Sequence, residues 1–170
     1  MAESVTGGDR IVLRATALVA VPWVNGGGVT RVIADRRGAF RLSLATIAKA
    51  GPFSPFPGVT RHFALVSGRI DLTGQPGTLD AHSLAVTFPG DLPVCATPHD
   101  GPALALNLMV PDDAPALELV RATGDRQIDA IAIFACEPLM IDGAMVLDIH
   151  DTLLCNGPVR VVGRALVVMR

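Results

Sequence analysis

Charge is scarce in this chain of 170 residues: Asp, Glu, Lys and Arg together make up 18%, and Lys49 is the sole lysine. The near-exclusive use of arginine for positive charge carries little functional information. A net charge of −2, with no basic run and no clustered aromatics, removes the electrostatic reason to bind nucleic acid or anionic lipid. Long apolar runs are missing as well. Half of the residues are apolar and the mean hydropathy is +0.46. Yet the longest uncharged run, Ala15 to Thr30, is broken by Pro22, Asn25 and three glycines, whereas a membrane-spanning helix needs about 20 mostly apolar residues in succession. The apolar content therefore reads as core.

Other absences narrow the chemistry. The first residues, MAESVTGGDR, have neither a basic n-region nor an apolar h-region, so the expectation is a cytosolic protein rather than a secreted one. Cys95, Cys136 and Cys155 are odd in number and far apart, with no CxxC pair, which argues against a disulfide framework or a zinc knuckle and for buried free thiols. The histidines His62, His82, His99 and His150 are scattered without a His-x-His pair. No metal site is expected unless three or four ligands converge in space. No GxSxG elbow accompanies Ser54 or the cysteines, and Glu137, Asp91, His62 and His99 form no recognisable acid–base pairing, so no catalytic residue is assigned.

What the chain does contain is a succession of short apolar runs, many β-branched, punctuated by Gly, Pro and Asp. That pattern predicts an all-β protein built as a barrel or sandwich. Strands are expected from "RIVLRATALVAV" through "FRLSLATI", "RHFALVSGRIDL" and "PALALNLMV" to "PVRVVGRALVVM". A single short helix is expected around "APALELVRA", with Pro115 in its first turn after Asp112 and Asp113. At 170 residues, one compact unit or two small halves sharing an interior is the expected organisation.

Alternation within strands sorts the side chains. Arg41 and Ser43 share one face of "FRLSLA", opposite Phe40, Leu42 and Leu44. Arg61 falls with Phe63, Leu65 and Ser67, and Asn107 with Ala105 and Met109. Polar residues on such faces either line a ligand cavity or face water. Arg61, at the end of a Pro-Gly loop and the start of an apolar strand, is the principal candidate, because a guanidinium presents a bidentate fork to a carboxylate. The alternative is that it binds carbonyls of the "GPFSPFPG" loop, or Asp91, and stiffens the fold. Arg41 and Ser43 supply a second anion contact or point outward, as does Arg31. Asn107 is either a cavity amide or a satisfied buried one.

The stretch "PWVNGGGVTRVIA" resembles a phosphate loop only superficially: the Gly-Lys-Ser/Thr or GxGxxG frame is missing, and a β-branched run rather than a helix follows. Its glycines are expected to supply positive φ or close backbone approach. Asn25 is expected to serve turn chemistry or the ligand. Trp23 either stacks on a ligand or plugs the core, while Phe53 and Phe56 form either a lid or loop packing.

Taken together, "PWVNGGGVTRVIA", "FRLSLATIAKAGPFSPFPGVTR" and "GPALALNLMV" resemble, in order, the recurring blocks of the HutD/Ves family. The resemblance is strong over roughly Ile11 to Val110 and weak beyond. It implies a bicupin, with a first barrel over about 10–110 and 111–170 contributing most of a second. It also implies an association with histidine utilisation through binding of a small carboxylate such as formylglutamate. "FPGD", residues 88 to 91, matches the turn cupins place between paired strands. Val24 stands where the family usually has lysine, Val32 and Thr60 where acids are common, and Phe40 where tryptophan is common. Those exchanges imply either a changed ligand or the removal of a salt bridge.

The resulting expectation is a cofactor-free protein binding a small anionic metabolite through Arg61, Arg41, Ser43, Asn25 and Asn107, with Trp23 and Phe53 beside them. A homodimer is a further expectation. The alternatives are a metal-independent cupin enzyme, an isomerase or hydrolase on a small polar metabolite, and a stress-related interaction protein.

Overall fold

Short β-branched runs form strands from one end to the other of the computed structural model, which describes residues 10–75 and 77–170. The stretch read for a leader lies, up to Asp9, outside the described residues. The strands are β1 (Ile11–Leu13), β2 (Ala20–Pro22), β3 (Gly28–Arg36), β4 (Phe40–Ile47), β5 (Gly51–Pro52), β6 (Val59–Leu72), β7 (Thr78–Asp80) and β8 (Val86–Pro89). They continue with β9 (Cys95–Pro111), β10 (Glu118–Ala122), β11 (Asp125–Ala135), β12 (Leu139–Ile141), β13 (Met145–Leu147), β14 (Thr152–Val162) and β15 (Ala165–Met169). The fold is all-β and cupin-like, with one 3-10 turn, Ala15–Ala17, among the described residues.

The chain divides into two compact units. Leu18–Leu119 carries an eight-stranded sheet in the order β2-β3-β4-β9-β6-β7, with β5 paired to β9 and β8 to β6. Its buried cluster includes Ile47, Phe63, Leu65, Ile70, Val94 and Ala103. The other unit joins residues 10–17 to Val120–Arg170, in a seven-stranded sheet ordered β10-β15-β11-β14-β12-β13 with β1 on β14. Ile133, Leu139, Ile141, Leu147, Leu153 and Val161 fill its core. Each such fully buried aliphatic side chain contributes about 1.5–3 kcal/mol relative to exposure.

Three expectations change. The segment "RIVLRATALVAV" is not one strand: β1 pairs with β14 at Ile11↔Leu154 and Leu13↔Thr152, then the 3-10 turn carries the chain to β2. The compact unit Leu18–Leu119 accordingly does not include Ile11–Leu13, which is hydrogen-bonded into the other sheet. The helix around "APALELVRA" does not form. Leu117 and Leu119 are buried at strand spacing, and Glu118–Ala122 lies beside β15 as β10, so sheet pairing overrides helix propensity. Of the thiols expected to be buried, Cys155 is, whereas Cys136 is half-buried and Cys95 exposed. All are free, and burial pushes the Cys155 thiol up to about 11.

Candidate functional site

Register explains how the cavity arises. β9 lies between β4 and β6, so residues read on separate strands fall into rows across the sheet. In one row Arg41 pairs with Met109, Met109 with Arg61, and Arg61 with Phe88. In the next, Val32 pairs with Ser43, Ser43 with Asn107, and Asn107 with Phe63. A third runs Val21, Thr30, Ala45, Ala105. Small or polar residues at successive row positions leave room where bulky aliphatics would close the sheet's face.

The resulting cavity has a volume of about 510 Å³, within the range of about 300–1,000 Å³ usual for small-molecule sites. Each candidate from the sequence lines it: Arg61 and Arg41, Ser43 and Asn107 from the strands, and Trp23, Asn25 and Phe53 from the loops. Val21, Val24, Val32, Thr30, Phe56 and Met109 complete much of the wall. Among the described residues, no Asp or Glu belongs to it.

Arg61 is only 4% exposed. Its Nη2 donates to the Ser54 carbonyl at 2.9 Å, so the loop-bracing alternative is realised, although not through Asp91. The guanidinium carbon lies 5.1 Å from the ring centre of Phe53, 5.5 Å from Phe56 and 5.7 Å from Phe88, an aromatic surround that stabilises a cation without neutralising it. Burial, with no carboxylate contributing, lowers its pKa to about 10, so it remains charged at neutral pH. Its Nε has no hydrogen-bond partner, nor has the buried Nε of Arg41 or Oδ1 of Asn107. Buried polar atoms are normally paired. All three belong to residues on neighbouring rows of one cavity wall, although each of these atoms is itself shut off from solvent.

The "NGGG" loop shapes the mouth. Gly26 takes φ +68, a left-handed conformation that favours glycine, and the Gly27 amide donates to Asn25 Oδ1 at 2.9 Å, closing the expected Asx turn. At Gly28 an added Cβ would lie 2.2 Å from the Thr46 carbonyl and 3.1 Å from the Trp23 ring, so only glycine fits where β3 begins its pairing with β4 under the indole. Trp23 Nε1 donates to Thr30 Oγ1 at 2.8 Å, which fixes the indole as cavity wall. Arg31 instead reaches Thr46 Oγ1 at 3.5 Å and does not line the cavity.

Val24 and Val32, two of the positions singled out in the sequence, both line this cavity and make that part of its wall apolar. Phe40 is buried beside a second space of about 140 Å³, bordered also by Asp35, Arg41 and Met109. The bulge between Val32 and Ala34 makes this possible, by bringing Asp35 opposite Arg41. Thr60 Oγ1 donates to Asp112 at 3.0 Å, away from the cavity. Sequence reasoning missed Phe88, reading "FPGD" only as a turn. Its signal was the alternation of Val86 and Phe88 in "AVTF", but the pairing Arg61↔Phe88 is set by register.

Among the described residues, no group of three or more His, Cys, Asp or Glu side chains could hold a metal ion. His62 is buried with Nδ1 3.0 Å from Thr87 Oγ1, and burial lowers its pKa. His99 pairs with Asp71 at 2.9 Å. Among those residues, too, no helix is long and apolar enough to cross a membrane.

A family model described as HutD matches residues 15–159. Protein Ves of Citrobacter koseri is 41% identical over 101 residues, covering 54% of this chain and 52% of that protein. An uncharacterised 21.2 kDa protein from the hutC 3′ region of Pseudomonas putida is 38% identical over 74 residues, 38% of this chain and 39% of its own length. In these matches the chain spans about half the length of the first curated relative and less of the second. Among solved structures, one of HutD from Pseudomonas fluorescens SBW25, described as a formate condition, superposes with a TM-score of 0.80 at 26% identity over 94% of this chain and 97% of that one. A conserved protein of unknown function from Pseudomonas aeruginosa PAO1 gives 0.75 at 28% identity, covering 94% and 96%.

Proposed function

This chain belongs to the HutD family, and from that premise and the cavity we propose that it binds a small carboxylate metabolite, formylglutamate-like in its head group, and modulates histidine utilisation in the cytoplasm. The observation that carries this reading is the buried Arg61 guanidinium, charged at neutral pH and without a carboxylate partner among the described residues, on the wall of a cavity that Arg41 also lines. A desolvated cation without a counter-ion is costly to keep. An anion entering the cavity supplies that counter-ion, and charge-assisted hydrogen bonds to it are worth about 1.5–3 kcal/mol each. Ser43 and the Asn107 amide offer further polar contacts on the adjacent row. The relative from the hutC 3′ region supports the metabolic context.

The test is isothermal titration with formylglutamate, formate, urocanate and glutamate, alongside Arg61→Met and Arg61→Lys. A carboxylate should bind the wild type and raise its melting temperature by linkage. Arg61→Met should weaken binding by roughly tenfold or more, and Arg61→Lys should restore part of it. Absence of binding by any carboxylate at millimolar concentration, with melting temperatures unmoved, would count against the proposal.

A further inference from the structure

The carboxylate-binding reading leaves the rest of the ligand open, and the cavity's polarity constrains it. Guanidinium, hydroxyl and amide groups cluster where β4, β9 and β6 run side by side: Arg41, Arg61, Ser43 and Asn107 occupy two adjacent rows. The side lined from β2, β3 and the loop between them, next to β4, is mainly apolar: Val21, Trp23, Val24 and Val32 line it beside Asn25 and Thr30, whose hydroxyl accepts from the Trp23 indole N–H. Val24 is fully exposed and Val21 more than half exposed, so these apolar side chains stand open to whatever enters.

Among the described residues, no acidic side chain lines the cavity. A free ammonium group would find no counter-charge there, only two guanidiniums repelling it at low dielectric. An acylated amine carries no charge and avoids that repulsion. A second carboxylate reaching toward β2 and β3 would meet valine and indole, with no cation among the described lining residues on that side to pair with it, whereas an apolar body would gain contact there. At about 510 Å³ the space also has room well beyond a single acid group.

Resting on the anion-binding reading, we infer that the ligand is an amphipathic monoanion: one carboxylate held by Arg61 and Arg41, any amine acylated to an amide, and an apolar aromatic or branched aliphatic body against Val21, Trp23, Val24 and Val32. N-acylated hydrophobic amino acids have this chemistry. Dicarboxylates and free amino acids do not.

Isothermal titration of the full chain with N-formylphenylalanine, N-formylglutamate and phenylalanine tests the inference, with Val32→Asp as the variant. Val32 is partly exposed at the cavity wall, so the substitution is expected to leave the fold intact, which a melting curve checks. N-formylphenylalanine should bind roughly tenfold or more tightly than N-formylglutamate, phenylalanine should not bind measurably, and Val32→Asp should weaken N-formylphenylalanine more than formate. Equal or tighter binding of N-formylglutamate, or binding of phenylalanine, overturns the inference while leaving carboxylate binding standing. Failure of every carboxylate, formate included, overturns the carboxylate reading and the inference together.

Discussion

The two units of this chain are both β-sheet structures rich in Val, Ile, Leu and Ala, yet their interiors differ in kind. In the unit formed with Val120–Arg170, the inward faces carry Ile133, Leu139, Leu147, Leu153 and Val161, all almost completely buried in an aliphatic cluster. Its buried polar residues, Asp151 and Thr152, are confined to one end of β14, where Asp151 accepts from the amides of Ala15 and Asp148 and pairs with Arg14 at 2.6 Å. In Leu18–Leu119, polar residues interrupt the rows themselves: Ser43 on β4, Arg61 on β6 and Asn107 on β9 are all buried. The comparison shows how little separates a filled sheet face from a hollow one. A few substitutions of polar or small residues for bulky aliphatics, aligned by register, turn a core into a wall.

The contrast can be broken from either side. The largest effect is expected in the filled unit: Leu153→Ala should cost about 2–5 kcal/mol by chemical denaturation, since the fully buried side chain leaves a cavity its neighbours cannot close. Ligand binding in the other unit should survive wherever the protein remains folded. The converse change, Asn107→Leu, removes an orphaned acceptor and fills space on the cavity wall. It should leave stability within about 1 kcal/mol or improve it. Carboxylate affinity should nevertheless fall roughly tenfold, a split between stability and binding that a merely structural amide would not produce.

The smallest and most specific effect is in pH dependence. Burial holds Arg61 at about 10, below the ordinary value for arginine. Between those values the unfolded chain binds more protons than the folded one, so this residue's contribution to stability rises with pH there. Affinity for a carboxylate runs the other way: it should be flat from about pH 7 to 9 and begin to fall as pH passes about 10, where the free protein loses the cation. Titrations across that range should show the break in the wild type and lose it in Arg61→Met.

Much of the cavity is legible in the amino-acid sequence. Period-two alternation puts Arg41 with Ser43 and sets Asn107 among small neighbours, and a guanidinium opening an apolar strand after a Pro-Gly loop marks Arg61. The loop-bracing reading of Arg61 holds, because one Nη bonds the Ser54 carbonyl, while its place in the cavity lining is what the anion-anchor proposal starts from. Less legible are residues whose meaning depends on a partner strand. Phe88 reads as part of a turn until pairing sets it across from Arg61, and the bulge after Val32 cannot be counted from sequence. The missed strand at Glu118–Ala122 has the same origin: its local composition suits a short helix, and only the neighbouring β15 makes extension the better hydrogen-bonded state.

The sequence by itself determined the all-β character, the face on which each polar residue lies, and the glycines that let the Trp23 loop close, since alternation and backbone sterics are local properties. The tertiary structure alone decided that β9 runs between β4 and β6, that Arg41, Met109, Arg61 and Phe88 form one row, and that Ile11–Leu13 joins the sheet of the C-terminal residues. Strand order and register are set by long-range burial, which rewards the whole arrangement at once and leaves no mark on any short stretch of chain.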